Sequence, residues 1–205
     1  MKFLTSTERG FTLIEMLVSI ALFSVVVTTA MGTLLVLIDA NAKSQSIQIS
    51  INNLSFALDA MTRQIRTGYD YRCGATQASI TTGAAPGTVQ SGTADCADGG
   101  QAVAFTDTRT GARIAYAYNP TSLTIQRKID LGASRGDWED MTGSNLRISD
   151  MEFVVRGAPA YAPPGVTDRN QPTVTIYITA QVGDATGLGA QFDIQTSLTQ
   201  RALQI

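Results

Sequence analysis

The sequence of 205 residues contains no histidine. Histidine is the commonest general base of enzymes and a common transition-metal ligand, so its absence disfavours both a catalytic and a metal-binding function. There are only two cysteines, and the first of the six prolines is Pro86. The 15 Lys and Arg residues are balanced by 17 Asp and Glu and form no long basic run. The sequence therefore gives no support for nucleic-acid binding.

Charge is also absent between Met16 and Ile38, an apolar run of 23 residues. As a helix rising about 1.5 Å per residue, the run would measure roughly 35 Å, enough to cross a hydrocarbon core of about 30 Å. Lys2 and Arg9 precede it, so the positive-inside rule leaves the N-terminus in the cytoplasm. The run predicts one membrane-spanning helix, followed by a domain on the extracytoplasmic side.

One carboxylate, that of Glu15, stands at the start of the apolar run. It would cost at most roughly 3 kcal/mol at the membrane centre, whereas each Leu, Ile, Val or Phe contributes about 0.3 to 0.6 kcal/mol to insertion. The helix should therefore insert in spite of Glu15. Two interpretations of Glu15 remain open. It fits a capping box with Thr12, in which both side chains bond the first N–H groups of the helix, or it serves a positively charged partner within the membrane.

The N-terminus resembles that of type IV prepilins and of type II secretion pseudopilins, through the segment Gly10-Phe11-Thr12-Leu13-Ile14-Glu15-Met16-Leu17-Val18-Ser19. The resemblance implies a leader of residues 1–10 that a membrane prepilin peptidase removes between Gly10 and Phe11. It also implies N-methylation of Phe11, storage in the inner membrane, and assembly into a filament with other pilin-like subunits on an assembly platform. Glu15, with Thr12, is then an assembly residue, and its carboxylate pairs with the Phe11 amine of a neighbouring subunit.

An ordinary secretory signal is the alternative, because Ala40-Asn41-Ala42 provides an A-x-A cleavage site after the apolar run. The run is about twice the usual length of a signal-peptide apolar region, which disfavours this alternative. The prepilin interpretation divides the chain into a leader, 1–10, a membrane half of the helix, 11–38, a stem half, 39–68, and an extracytoplasmic domain, 69–205.

The stem half shows an apolar stripe at heptad a and d spacing, formed by Ile47, Ile51, Leu54, Leu58, Met61 and Ile65. We expect the helix to end near Gly68 and this stripe to pack on a sheet. A dimeric coiled coil is the alternative, but only about three heptads are present. The membrane half has no proline, so any local melting of the helix in a filament would rely on Gly32 with its neighbouring threonines, Thr28, Thr29 and Thr33.

Residues Tyr69 to Gly100 are rich in Gly, Ala, Ser and Thr and predict a long connecting loop. Cys73 and Cys96 lie near its ends. In an extracytoplasmic domain such a pair predicts a disulfide, although two free thiols remain possible. Asp95 and Asp98 offer oxygens to calcium, but they lack the spacing of a calcium-binding loop, so a solvated loop is favoured. We expect no metal and no cofactor.

After Gly100 the apolar pattern changes to a period of two, which predicts six strands. The apolar positions are Val103 and Phe105; Ile114, Tyr116 and Tyr118; Leu123, Ile125, Ile129 and Leu131; Met151, Phe153 and Val155; Val174, Ile176, Ile178, Ala180 and Val182; Phe192, Ile194 and Leu198. Asn119-Pro120-Thr121-Ser122 predicts a turn, and Pro159 to Pro172 an exposed loop. Strands that follow one another without helices predict an antiparallel sheet with one buried face, so the fold class is α+β and pilin-like.

The strand Leu146–Phe153 and the ending Gln191–Ala202 loosely resemble those of minor pilins and of J-type or W-type-like minor pseudopilins. The resemblance implies a minor structural subunit that primes assembly or lies at the tip. A singly anchored ligand-binding protein that forms no filament is the alternative. Enzyme function is not expected: Gly132-Ala133-Ser134-Arg135-Gly136 fits G-x-S-x-G, but no helix is predicted behind it and no histidine could activate Ser134.

Overall fold

A computed structural model describes residues 10–81, 87–131, 134–143, 145–158, 171–182 and 190–201. The chain divides into two compact units, Met1–Gln45 and Ser46–Ile205. The predicted leader up to Arg9 lies outside the described residues. So does the predicted loop between Pro159 and Pro172, apart from its last two residues.

The described elements begin with one long helix, α1, spanning Leu13–Thr67, and a second, short helix, α2, spans Gln77–Thr81. The strands are β1 Gly68–Gly74, β2 Cys96–Gly100, β3 Ala102–Asp107, β4 Arg113–Asn119, β5 Thr124–Leu131, β6 Ser134–Arg135, β7 Glu139–Asp140, β8 Leu146–Arg156, β9 Thr173–Val182 and β10 Ala190–Thr199. The predicted α+β class, a long N-terminal helix followed by antiparallel strands, is confirmed.

The strands form two antiparallel sheets rather than one. Sheet 1 has the order β1-β3-β4-β5-β6, with β7 also paired to β5, and sheet 2 has the order β10-β9-β8-β2. All six strands predicted after Gly100 are present. The prediction of a loop from Tyr69 to Gly100 was wrong in part, because this segment contains β1, α2 and β2. α2 and β2 carry few large apolar side chains. β1 does alternate, with Tyr69, Tyr71 and Cys73 at every second position, but this short pattern was not recognised at the start of a segment rich in Gly, Ala, Ser and Thr.

Sheet 1 is covered on both faces, whereas the prediction had one buried face. Val103, Phe105, Ile114 and Tyr116 face a core shared with α1 and sheet 2. The other face is lined by four buried alanines on β3 and β4, and Ile80, Val89 and Trp138 pack against them. The residues that alternate with these large apolar side chains were predicted to face solvent. On β3 and β4 they include small residues buried on the second face of the sheet.

The predicted apolar face of the third strand, now β5, is wrong at its C-terminal end. Ile129 and Leu131 are 36% and 53% exposed, whereas Lys128 and Asp130 are buried. Asp130 lies 3.5 Å from Lys128 Nζ and accepts a hydrogen bond of 2.7 Å from the backbone N–H of Val89. This hydrogen bond attaches the segment around Val89 to β5, whereas the ion pair joins two residues of β5 itself. At the C-terminal end of the strand, the polar face is therefore the covered one.

The stem half of α1 packs through Ser50, Leu54, Ala57, Met61 and Ile65, all buried. Leu54, Met61 and Ile65 confirm the predicted stripe, and Ile47 and Leu58 contact its edge. The prediction for Ile51 was wrong, because it is 40% exposed and Ser50 takes the buried position.

Gly68 follows α1, as predicted, and the packing of the fold leaves no room for a side chain at this position. A β-carbon at this position would collide with the ring of Phe105. The predicted turn after Asn119 is also present, since Asn119 Oδ1 accepts hydrogen bonds from the backbone N–H groups of Thr121 and Ser122 at 2.9 and 3.3 Å. Such an Asx turn satisfies the backbone between two antiparallel strands.

Candidate functional site

The N-terminus of α1 is capped by Thr12. Its Oγ1 accepts a hydrogen bond from the backbone N–H of Glu15 at 3.3 Å, and its carbonyl accepts one from Met16 at 3.3 Å. A capping box would add a bond from the backbone N–H of Thr12 to the Glu15 carboxylate, and this bond is not formed. The Thr12 half of the predicted box is confirmed, and the Glu15 half is wrong.

The Glu15 carboxylate makes no hydrogen bond or ion pair with any residue that the structure describes. It lies in the first turn of α1, where the partial positive charge of the helix N-terminus favours a carboxylate. Glu15 is therefore held in place by the helix while its side-chain oxygens remain available. Pairing of this carboxylate with a positively charged partner from outside the chain stays a prediction.

The membrane half of α1 exposes its apolar side chains on every side. Leu13 is 79% exposed, and Phe11, just before the helix, is 76% exposed. The other exposed apolar residues of this half are Ile14, Met16, Leu17, Ile20, Leu22, Phe23, Val25, Val26, Met31, Leu34, Leu35, Val36, Leu37 and Ile38. By length and composition α1 is long and apolar enough to cross a membrane. Such a surface fits the membrane anchor typical of prepilins.

Hydroxyl groups within this half bond to their own helix. Ser19 and Ser24 donate to the carbonyls of Glu15 and Ile20 at 2.7 and 2.8 Å. Thr28, Thr29 and Thr33 likewise donate to carbonyls three or four residues earlier. These hydroxyls need no partner from the lipid, which lowers the cost of placing them in hydrocarbon. The helix is continuous through Gly32, so the proposed melting in a filament stays a prediction.

Gly10 and Phe11 precede α1. A β-carbon added at Gly10 would meet no atom within 4 Å. Cleavage between these residues and methylation of the Phe11 amine stay predictions.

The predicted disulfide between Cys73 and Cys96 is confirmed, with a Cα–Cα distance of 5.7 Å. Cys73 belongs to β1 of sheet 1 and Cys96 to β2 of sheet 2, so the bond joins the edges of the two sheets. Next to it, Ala94 exchanges backbone hydrogen bonds with Tyr71 and Cys73 at 3.0 and 2.9 Å. These contacts fix the end of the segment between the two cysteines.

Asp95 and Asp98 do not form a calcium site with other acidic residues. Asp95 accepts hydrogen bonds from the backbone N–H groups of Gly157 and Ala158 at 3.1 and 2.7 Å, and Asp98 is exposed. Within the described ranges no group of three or more Cys, Asp or Glu residues could hold a metal ion. Asp95 therefore anchors the end of β8.

Ser134 lies in β6, directly paired with Leu131 of β5. Gly132 and Ala133 lie outside the described residues. A nucleophile elbow places its serine on a sharp turn from a strand into a helix. Ser134 instead lies in a short strand, and the residues that follow it form no helix, so Ser134 does not lie at such a turn.

Arg113 and Asp140 are charged residues of the β domain whose partners belong to its own fold. Arg113 Nη1 lies 2.9 Å from Asp70 Oδ2, and its Nε donates to the Gln90 carbonyl at 2.7 Å. Burial lowers the pKa of Arg113, and the Asp70 carboxylate opposes that shift. Hydrogen bonds from Thr124 and Gln126 lower the pKa of Asp140. These groups hold loops to strands and do not converge on one pocket.

Comparison with known proteins identifies the N-terminal segment. Residues 5–31 match the model of the prokaryotic N-terminal methylation motif, which is the type IV prepilin signature. Neither a search of curated proteins nor a search of solved structures finds a match to the chain. The motif covers the segment in which Thr12 caps α1 and Glu15 keeps a free carboxylate.

Proposed function

We propose that this chain, which carries the type IV prepilin signature, is a minor structural subunit of a type IV pilus or of a type II secretion pseudopilus. Prepilin peptidase would cleave it after Gly10, and the new amine of Phe11 would be methylated. The mature chain would wait in the cytoplasmic membrane, with its β domain on the extracytoplasmic side, until an assembly platform adds it to a filament. The motif at residues 5–31 is the observation that carries this proposal.

The exposed apolar half of α1 supports assembly with similar helices. In the membrane, lipid covers these side chains. Once the subunit leaves the membrane they need another apolar cover, because a contiguous apolar surface of this size is unfavourable in water. Packing among the corresponding helices of other pilin-like subunits would provide that cover. The β domain, which has its own core, would remain outside this helical bundle.

The free Glu15 carboxylate supports a defined register within the bundle. An N-methylated amine keeps its positive charge, so the Phe11 amine of a neighbouring subunit is a suitable partner. A carboxylate and an ammonium group attract each other far more strongly at low dielectric constant than in water. The pair would therefore favour the one axial position of the incoming subunit in which both charges meet.

A minor position and the absence of catalysis are also proposals. The loose likeness of the strand Leu146–Phe153 and the chain ending to minor subunits supports the first. The lack of histidine and the position of Ser134 in β6 support the second. The alternative, an anchored ligand-binding protein, would use the open cleft of about 390 Å³ beside Gly100 and Glu152. Recovery of the mature chain in sheared extracellular fibres separates the two functions.

The test replaces Glu15 by valine in cells that make the filament. Membrane insertion should be unchanged, because the helix stays apolar. The amount in sheared fibres should fall at least about 100-fold, since breaking a buried ion pair costs about 3–5 kcal/mol. Asp39→Ala removes the carboxylate at the other end of the apolar run and should leave incorporation unchanged. Normal incorporation of Glu15→Val would refute the pairing, and absence of the wild-type chain from fibres would refute the filament function.

A further inference from the structure

Strand β10 is an edge of sheet 2. All ten of its residues, Ala190–Thr199, pair with β9 in one unbroken antiparallel register. Along an edge strand, alternate backbone N–H and C=O groups point away from the sheet. Within the described ranges, no strand and no backbone group bonds to this outer side of β10.

The other sheet edges in the described part of the chain are protected. The register of β1 breaks between Tyr69 and Arg72, and Ala94 bonds to its outer side. The register of β2 shifts between Cys96 and Gly100. The opposite edge of sheet 1 is formed by β6 and β7, which pair with β5 and are each only two residues long. Such interruptions and covers prevent further strands from adding to a sheet.

β10 lacks these protections. It contains no proline and no lysine, the residues that commonly block an edge. Its one charged residue is Asp193, and Asp193 Oδ1 accepts a hydrogen bond of 2.7 Å from Thr179 Oγ1 across the strand pair. The only charge on this edge is therefore already engaged within the sheet.

The apolar side chains of sheet 2 are less completely buried on β10 than on β9, except at Leu198, which is buried. On β9 the side chains facing the core, from Val174 to Val182 at alternate positions, are all nearly fully buried. On β10 the adjacent core-facing residues Phe192 and Ile194 pack against the same core but are only half-buried. Apolar surface and free backbone groups thus lie side by side along one edge.

We propose that the outer edge of β10 is a strand-addition site, where an extended segment of a different polypeptide chain joins sheet 2 as its fifth strand. The free backbone groups can pair with an added strand, and the half-buried side chains of Phe192 and Ile194 can pack against apolar side chains at alternate positions of that strand. The proposal stands on the geometry of the edge and does not depend on the filament function.

A second copy of the same chain fits less well. If β10 paired antiparallel with the β10 of a second copy, the two copies would be related by a two-fold axis perpendicular to the sheet. A helix packed on a sheet lies in a layer parallel to it, so this axis would reverse the stem helix of one copy relative to the other. Chains inserted into one membrane from the same side need stem helices of the same direction.

The test uses the full chain in detergent and a peptide copying residues 173–182, the strand that β10 already accepts on its other side, with lysines added at both ends. Residue-resolved hydrogen exchange is measured with and without the peptide. The amides on the outer side of β10 should exchange at least about tenfold more slowly at saturation. A peptide carrying Ile176→Pro and Ile178→Pro cannot form the backbone ladder and should protect none of them.

Three variants locate the contact on β10. Ile194→Lys puts a charge on the core-facing side of the edge and should weaken peptide binding at least about tenfold, equivalent to 1.4 kcal/mol. Gln195→Lys puts the same charge on the outward face and should leave binding within about twofold. Thr196→Lys, at a polar core-facing position, repeats the test if Ile194→Lys melts at a lower temperature than the wild-type chain.

Three results would overturn the proposal. The first is no protection of β10 at saturating peptide, and the second is equal protection by the proline-containing peptide. The third is protection without peptide that increases with protein concentration, because it would assign the edge to a second copy of the chain.

Discussion

A β-carbon added at Gly10 would meet no atom within 4 Å, whereas one added at Gly68 would collide with the ring of Phe105, and one at Gly100 would approach the Gly74 carbonyl oxygen. Gly68 and Gly100 are therefore small because the fold brings other groups against them. Among the residues that the structure describes, Gly10 has no such neighbour, and its backbone angle is not left-handed. A requirement for glycine at position 10 would therefore reflect contact with another molecule, such as the peptidase of the proposed function.

Gly10→Val should therefore block processing while leaving the rest of the chain folded. The uncleaved protein should run about one kilodalton heavier on a gel than the mature wild-type chain, because it keeps its leader. Gly32→Val is the matched control, since Gly32 also has open space around it. Cleavage of Gly10→Val at the wild-type rate would show that the residue has no role in processing.

Ser50 shows what a sequence pattern does not predict at the scale of one residue. The apolar stripe favoured Ile51, but the buried position belongs to Ser50, whose hydroxyl has no hydrogen-bond partner. The exposure of Phe56, at 75%, runs against its apolar character in the same way. Residue type predicts burial on average, but the rotation of the helix on the core decides it at each position.

At the scale of elements, the C-terminal end of α1 is held by groups from three other segments. The Tyr71 hydroxyl lies 2.5 Å from the Ile65 carbonyl oxygen and 2.8 Å from that of Gly68. Thr108 Oγ1 donates to the Thr67 carbonyl at 2.8 Å, and the backbone N–H of Arg201 donates to the Arg66 carbonyl at 2.8 Å. The last carbonyls of a helix have no partner within it, so these contacts supply the missing donors.

Tyr71→Phe should lower the free energy of unfolding by about 1–3 kcal/mol, because the buried Ile65 carbonyl would lose its donor while the ring would remain. Burial raises the pKa of Tyr71, so its hydroxyl stays a donor at neutral pH. Urea unfolding of the chain in detergent, followed by Trp138 fluorescence, measures the change. Tyr69→Phe, at a more exposed tyrosine, is the control. A change below about 0.5 kcal/mol at Tyr71 would contradict its capping role.

The elements that sequence predicts best are those with a strong repeat. The long apolar run and the stem stripe predicted α1, and strict alternation predicted the strands from β3 onward. β2 was missed because backbone pairing with β8, rather than an apolar repeat of its own, holds it in place. β1 was missed because its alternation, Tyr69, Tyr71 and Cys73, is too short to stand out from the loop-like composition that follows it. The burial of Lys128 and Asp130 was missed because it depends on the segment around Val89, which lies far away in sequence.

At the scale of the whole domain, the division into two sheets was not predictable from periodicity. Alternation shows that a strand has two different faces, but it does not show which strand lies beside it. The chain passes from sheet 2 to sheet 1 between β2 and β3, at Gln101. Gln101 donates to the Ala75 carbonyl at 3.3 Å, and its own carbonyl accepts from Tyr118 at 2.9 Å. The N-terminal methylation motif was predictable because it is local in sequence.

The disulfide between Cys73 and Cys96 is a direct covalent link between the two sheets. Closing a loop of this length should stabilise the fold by about 3 kcal/mol in the chain-entropy model. The double variant Cys73→Ser, Cys96→Ser should therefore unfold at lower urea concentration, again followed by Trp138 fluorescence. Reducing the wild-type chain should produce the same loss, whereas the reductant should not change the double variant further. Because the bond lies at the edges of the sheets, the unfolded fraction should increase without a change in the helix content of the folded state. A double variant as stable as the oxidised wild type would show that backbone contacts such as those of Ala94 are sufficient to hold the two edges together.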